Sequence, residues 1–241
     1  MLKVGVLVSG GGTNLQAILD AIDCGKITNA EVSLVISNNP KAYALERAKN
    51  HNIEAVCISP KQYESREEFH KTLLEKLKES GADIAYVMPS HQYPLGIVMP
   101  IKRRQELLRW AEEKPGRYLI EDDYDSEFRY IGKPIPSLQG NDRSGCVIYL
   151  GTFSKSIAPA IRISYLVLPE SLLETYRRID NVFSSTVSRL DQRVLQLFME
   201  KGYYERHLNK MRALYKSKHD VLMSEIRKMR GVRQVLGDHS G

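Results

Sequence analysis

Lys155 closes the run Gly151-Thr-Phe-Ser-Lys155, Arg162 follows seven residues later, and upstream Glu121-Asp-Asp-Tyr-Asp125 gathers carboxylates around a tyrosine. A lysine amine that has lost its proton adds to an aldehyde carbon. An arginine with neighbouring hydroxyls, here Arg162 and Thr152, suits a phosphate because its planar fork offers directed donors. A carboxylate can keep a proton on a ring nitrogen, so that the ring draws electrons. Taken singly, each group has a plainer reading: an acidic run is most often a solvated loop or a cap, and a lysine after a serine is usually surface.

The order of the groups argues for more. Arg117 to Ile120 and Cys146 to Leu150 read as strands, so both polar clusters are expected at carboxyl ends of strands, where open parallel α/β sheets bind ligands. Lysine, carboxylate, hydroxyl and arginine together suit the chemistry of pyridoxal phosphate.

A third cluster lies near the start of the chain. The apolar run Val4 to Val8 leads into Ser9-Gly-Gly-Gly-Thr-Asn14, and then Leu15, Ile18, Leu19 and Ile22 recur at helical spacing. Glycines bring backbone N–H groups close to a ligand, and the following helix N-terminus favours an anion, so the loop can cradle a phosphate. The alternative is that the glycines merely turn the chain. The third glycine of a dinucleotide fingerprint is missing, since Leu15 occupies its place, and no Gly-Lys-Ser/Thr follows.

The elements that must hold these clusters form an α/β pattern. Val32 to Ile36 precedes a helix from about Ala42 to Asn50, and Ala55 to Ile58 precedes a helix opened by Ser65 with Glu68 as capping-box partner. Ile84 to Met88 is strand-like and leads into the turn-rich loop Pro89 to Gly96. A helix from Ile101 to Lys114 then stops at Pro115-Gly116. From Ser188 to Met229 the spacing is helical, with a break at Gly202 beside Tyr203 and Tyr204, whose rings are expected in core packing. The expected fold class is α/β: a three-layer, mostly parallel sheet with flanking helices, a Rossmann-like start and long C-terminal helices.

Composition narrows the setting. The chain has 241 residues and a net charge of +6, with its basic residues spread among acids on helices, which argues against a nucleic-acid footprint. Up to Asp83 the charges balance and the excess lies beyond it, the first sign of a junction. Cys24, Cys57 and Cys146 are too dispersed for a disulfide framework or a metal site, and no apolar stretch approaches the roughly 20 residues of a membrane span. A cytoplasmic protein without metal or membrane contact is expected.

Two resemblances divide the chain at that junction. VLVSGGGTNLQAILDAI, LVISNNPKAYALERAKNHNI, SREEF and GADI resemble glycinamide ribonucleotide (phosphoribosylglycinamide) formyltransferase of purine biosynthesis over nearly every residue to about Asp83. That resemblance implies a substrate phosphate held by Gly11, Gly12, Thr13 and Asn14, with Arg66 near the same site; Gly11 stands where the family often has asparagine. The Asn, His and Asp that the family uses for formyl transfer have no counterpart, and His91, in Met-Pro-Ser-His, lacks the Asn. Formyl transfer is not expected.

From about Ile84, VMPSHQYPLGIVMPIKRRQELLRWA, YLIEDDYDSEFRY, KPIPSLQG and VIYLGTFSKSIAPAIRISYLVLP resemble the aminotransferase-like domain of MocR-type regulators, a fold-type-I pyridoxal-phosphate family. The resemblance implies Lys155 as the catalytic Schiff-base lysine, Asp122 as partner of the pyridine nitrogen, Tyr124 as donor to the ring hydroxyl, and Thr152 and Arg162 as phosphate anchors. Tyr93 precedes Pro94 where many aminotransferases place asparagine. The family's phosphate loop and ring-stacking aromatic are replaced by the first segment, and the chain ends at Gly237 to Gly241 as the small domain would begin, before the substrate-clamping arginine. The winged-helix DNA-binding domain of full regulators is likewise not expected.

The expected organisation is a formyltransferase-like βα segment over 1–83, an aminotransferase large-domain segment over 84–186 and a helical segment over 187–241. The function read from it is that of a chimeric or truncated aminotransferase-like protein. It binds pyridoxal 5'-phosphate, takes an amine or amino acid as small-molecule partner and falls short of full transamination, with a homodimer implied by the family. The alternatives are a sugar-phosphate-binding module of formyltransferase type and an inactive composite.

Overall fold

The computed structural model describes residues 1–8, 10–91, 98–130, 135–180, 186–233 and 235. Ser9, Tyr93 with most of its turn-rich loop, and the chain end 237–241 lie outside the described residues.

The first βα units form where the apolar runs require them. Strand β1 (Leu2–Val8) precedes helix α1 (Thr13–Asp23), β2 (Ala30–Ser37) precedes α2 (Tyr43–Asn50), and β3 (Glu54–Cys57) precedes α3 (Arg66–Glu79). Then come β4 (Ile84–Val87), α4 (Ile101–Glu112), β5 (Tyr118–Asp123), α5 (Leu138–Asn141) and β6 (Val147–Thr152). The turn α6 (Phe153–Ser156), β7 (Ser164–Val167) and helices α7 (Glu170–Asp180), α8 (Arg189–Glu200) and α9 (Tyr203–Lys228) complete the order.

The seven strands make one sheet in the order β3-β2-β1-β4-β5-β6-β7. β1 pairs in parallel with β2 and β4, β2 with β3, and β4 with β5, whereas β7 runs antiparallel to β6. The expected mostly parallel α/β sheet with flanking helices is therefore present.

Two compact units divide the chain: Met1–Asp122 with Pro136–Ile148, and Asp123–Ile135 with Tyr149–Gly241. In the first, apolar side chains cover both faces of the sheet. Val6, Val35, Leu15 and Leu19 belong to one cluster, and Leu7, Leu34, Leu107 and Trp110 to the other. Strands buried on both faces read as continuous apolar runs. Ser65 accepts the Glu68 N–H at 3.1 Å, so the serine half of the expected capping box opens α3.

Within the second unit, Gly202 takes a left-handed conformation (φ 66°) that divides α8 from α9. Tyr204 is half-buried and packs against Phe153 and Phe198, as core packing requires, whereas Tyr203 is exposed despite stacking on Phe198, so the core expectation fails for it. The Arg212 Nε of α9 donates to the Glu127 carbonyl at 2.6 Å, and Tyr215 meets Phe128 edge-on, which fixes α9 beside the turn that follows Tyr124. Leu190, Val194 and Leu222 follow the helical period yet stand largely exposed. Among the described residues no helix is long and apolar enough to cross a membrane.

Candidate functional site

The Lys155 turn is set by three local features of the second unit. Gly151 lies opposite Tyr165 in the β6–β7 ladder, and any Cβ there would stand 2.2 Å from the Tyr165 ring, so only glycine admits this packing. Thr152 ends the strand and caps the turn, its Oγ1 accepting the Ser154 N–H at 3.2 Å. Phe153 and Ser156 are buried, and Phe153 stacks at a tilt on Tyr165 with ring centroids 4.9 Å apart. These contacts leave the Lys155 side chain half exposed, at 50%.

Two predicted residues meet there, with one that was not predicted. The Lys155 Nζ lies 4.6 Å from the centroid of the Tyr124 ring, a cation–π contact, and 3.5 Å from Asp125 Oδ2. Asp125, whose side chain is only 1% exposed, escaped the sequence reading because nothing in EDDYD separates one aspartate from the next.

Hydroxyls and a guanidinium gather on the other side of the turn. Thr152 Oγ1 lies 3.2 Å from Ser154 Oγ, and the Arg162 Nη1 donates to Ser154 Oγ at 3.4 Å. Ser154 Oγ donates to the Ile161 carbonyl at 2.7 Å. Thr152 and Arg162 thus both contact Ser154, which lies between them. The signal for Ser154 was its place two residues after Thr152 in a capped turn.

Asp122 belongs to the first unit, where it accepts a hydrogen bond from the Tyr86 hydroxyl. Only Tyr124 and Asp125 of the acidic run leave the strand: β5 continues through Asp123, with Leu119, Glu121 and Asp123 buried on one face and Asp122 half-buried on the other. Glu121 accepts the backbone N–H groups of Leu138 and Gln139 at 2.9 and 3.0 Å, which makes it a structural carboxylate.

The glycine loop has its own cavity in the first unit. About 320 Å³ is lined by Gly10, Gly11, Gly12, Thr13, Asn14 and Tyr86, among others. Gly12 caps α1 in a left-handed conformation (φ 68°), and a Cβ there would stand 2.7 Å from that of Ala44. Among the described residues no side chain caps this helix end, so its first-turn N–H groups can serve an anion. The Arg47 Nε braces the loop by donating to the Gly11 carbonyl at 2.8 Å. Arg66 is the first residue of α3.

The fold is that of an open, mostly parallel α/β sheet, an architecture in which ligands bind outside the carboxyl ends of the strands. Residues 48–241 match the aminotransferase class I and II family, and the chain belongs to it. Residues 2–91 match the formyl transferase family, so the two similarities overlap over 48–91 and the chain is a composite. It is 48% identical over 170 residues to the HTH-type transcriptional regulator YhdI of Bacillus subtilis, covering 70% of this chain and 36% of that protein. It is 39% identical over 155 residues to the probable rhizopine catabolism regulatory protein MocR of Rhizobium meliloti, covering 64% and 31%. Among solved structures, the multiple substrate aminotransferase of Thermococcus profundus superposes with a TM-score of 0.70 at 25% identity, covering 100% of this chain and 53% of that one. The chain therefore spans 36% and 31% of these two curated relatives and about half of the solved aminotransferase.

Proposed function

We propose that this aminotransferase-family chain binds pyridoxal 5'-phosphate through Lys155 and handles an amine or amino acid there, without completing transamination by itself. The observation that carries the proposal is the second unit's juxtaposition of a half-exposed Lys155 amine, 3.5 Å from a buried Asp125 carboxylate, with the Thr152, Ser154 and Arg162 cluster.

These residues fit the cofactor. When bound, it supplies an aldehyde that joins an amine and a ring that accepts electrons. Asp125 Oδ2, 3.5 Å from the Lys155 Nζ, and the Tyr124 ring beside it orient the amine. The Arg162 guanidinium and the Thr152 and Ser154 hydroxyls supply donors of the kind a phosphate needs. Asp122 is assigned to the pyridine nitrogen and Tyr124 to the ring hydroxyl, following the family motif.

The proposal extends to organisation and setting. Residues 1–83, 84–186 and 187–241 are read as three inherited segments, and the family's habit of building sites between subunits suggests a homodimer. The three free cysteines suit the reducing cytoplasm.

Titrating the chain with pyridoxal phosphate and recording its visible absorbance tests the reading. A saturable band with the unaltered chain that is absent with Lys155→Ala is expected. No band with the unaltered chain, or an equal band with the variant, would reject it.

A second reading rests on the 320 Å³ cavity of the glycine loop. There Gly11, Gly12, Thr13 and Asn14 would hold the phosphate of a sugar-phosphate ligand; Arg66 is added by the formyltransferase resemblance, its side chain lying outside the described residues. Thermal stabilisation by a ribonucleotide supports it, and no shift at saturating ligand counts against it.

A further inference from the structure

We propose that Tyr86 is a positioning residue for Asp122 and that Asn14, from the formyltransferase-like segment, holds Tyr86 in that role. The inference rests on the cofactor reading above. It assigns part of the candidate pyridine-binding apparatus to residues that neither the strand-end motifs nor the glycine loop would nominate alone.

The geometry lies wholly within the first unit. Tyr86 stands on β4 between Val6 of β1 and Ile120 of β5, its register partners. Registered side chains of parallel strands share a face, and Asp122, two residues beyond Ile120, returns to that face. Two residues of strand cover roughly 6.5 Å, a distance that a tyrosine ring leaning along the strand can bridge. The Tyr86 hydroxyl accordingly donates to Asp122 Oδ2.

Asn14 completes the chain of bonds, its Nδ2 donating to the Tyr86 Oη at 3.2 Å. Because Oη accepts this bond, its single hydrogen is directed to the carboxylate. Donation from a hydroxyl favours the ionised form of Asp122 and fixes its rotamer, and each bond in such a series polarises the next. A carboxylate that must face a protonated pyridine nitrogen needs both properties. Asn14 belongs to the segment similar to formyl transferases, whereas Asp122 lies in the part matched only by the aminotransferase family. The composite has therefore joined a first-turn residue of α1 from one lineage to a candidate site residue of the other.

The test compares the unaltered chain with Tyr86→Phe and Asn14→Ala by titration with pyridoxal phosphate, following the visible band at a series of pH values. Tyr86→Phe removes one hydroxyl and keeps the ring. The inference expects its band to form at saturation, because Lys155 is intact, with cofactor affinity about 10-fold weaker. The pH midpoint of the band is expected to move by roughly half a unit or more, a change that a merely structural tyrosine would not cause. Asn14→Ala should move both quantities in the same direction by less. Unchanged affinity and midpoint in Tyr86→Phe, or in Asn14→Ala should the tyrosine variant fail to fold, would overturn the inference while leaving the cofactor reading in place. Absence of any band in the unaltered chain would reject both together.

Discussion

Asp83 receives the Lys114 Nζ at 2.7 Å on Oδ1 while the backbone N–H of Lys3 donates to Oδ2 at 3.2 Å. Its own N–H donates to the Lys3 carbonyl, and its carbonyl accepts from Tyr118. Asp83 thus joins the start of β1 to the start of β5 and to the lysine beyond α4.

The bond from Lys114, followed by that from the Lys3 backbone, holds the Asp83 carboxyl below the usual carboxylate range. A carboxyl whose pKa is lowered by folding contributes stability that is present above its unfolded pKa of about 4 and is lost as pH falls through its folded pKa. Asp83→Asn should therefore lower stability at neutral pH and flatten the loss of stability in acid below about pH 4. Because Lys114 is 55% exposed, the neutral-pH cost should be about 1 kcal/mol or less. Urea denaturation across the acid range measures both effects; a variant with the parent's acid profile would contradict the assignment.

Glu121 has a larger structural consequence. Its carboxylate is fully buried, accepts two backbone N–H groups at the start of α5, and lies 3.9 Å from the Arg104 guanidinium, which itself donates to the carbonyls of Pro89, Met99 and Pro136. Glu121→Ala strands buried donors and should cost about 3–5 kcal/mol, with Glu121→Gln costing less because it keeps an acceptor oxygen. Chemical denaturation that shows a loss below about 1 kcal/mol for the alanine variant would show that water replaces the carboxylate.

The pattern of residues disclosed the first unit well, for a physical reason. Val32 to Ile36 and Ile84 to Val87 lie in strands covered on both faces, so apolar character runs unbroken and the elements can be read directly. β5 was read three residues short because Glu121, Asp122 and Asp123 look like solvent-facing residues; the backbone amides that bury Glu121 and the Tyr149 hydroxyl that donates to Asp123 at 2.8 Å come from distant sequence. The edge strand β7 is apolar over Tyr165 to Val167 yet only four residues long with three of them exposed, so its pattern does not mark a buried strand. Leu190 and Val194 kept the helical period without being buried, because a period identifies an apolar stripe and not the surface that covers it. At the candidate site the motif order pointed to Lys155, Thr152 and Arg162, while Asp125 and Tyr86 needed coordinates to be found.

Lys155 is the residue on which the account turns. Incubation of the chain with pyridoxal phosphate, reduction with borohydride and mass-spectrometric mapping of the modified lysines test it most directly. A single saturable pyridoxyl modification at Lys155, lost in Lys155→Ala, is expected. Modification spread over surface lysines with none favoured at Lys155 would contradict it.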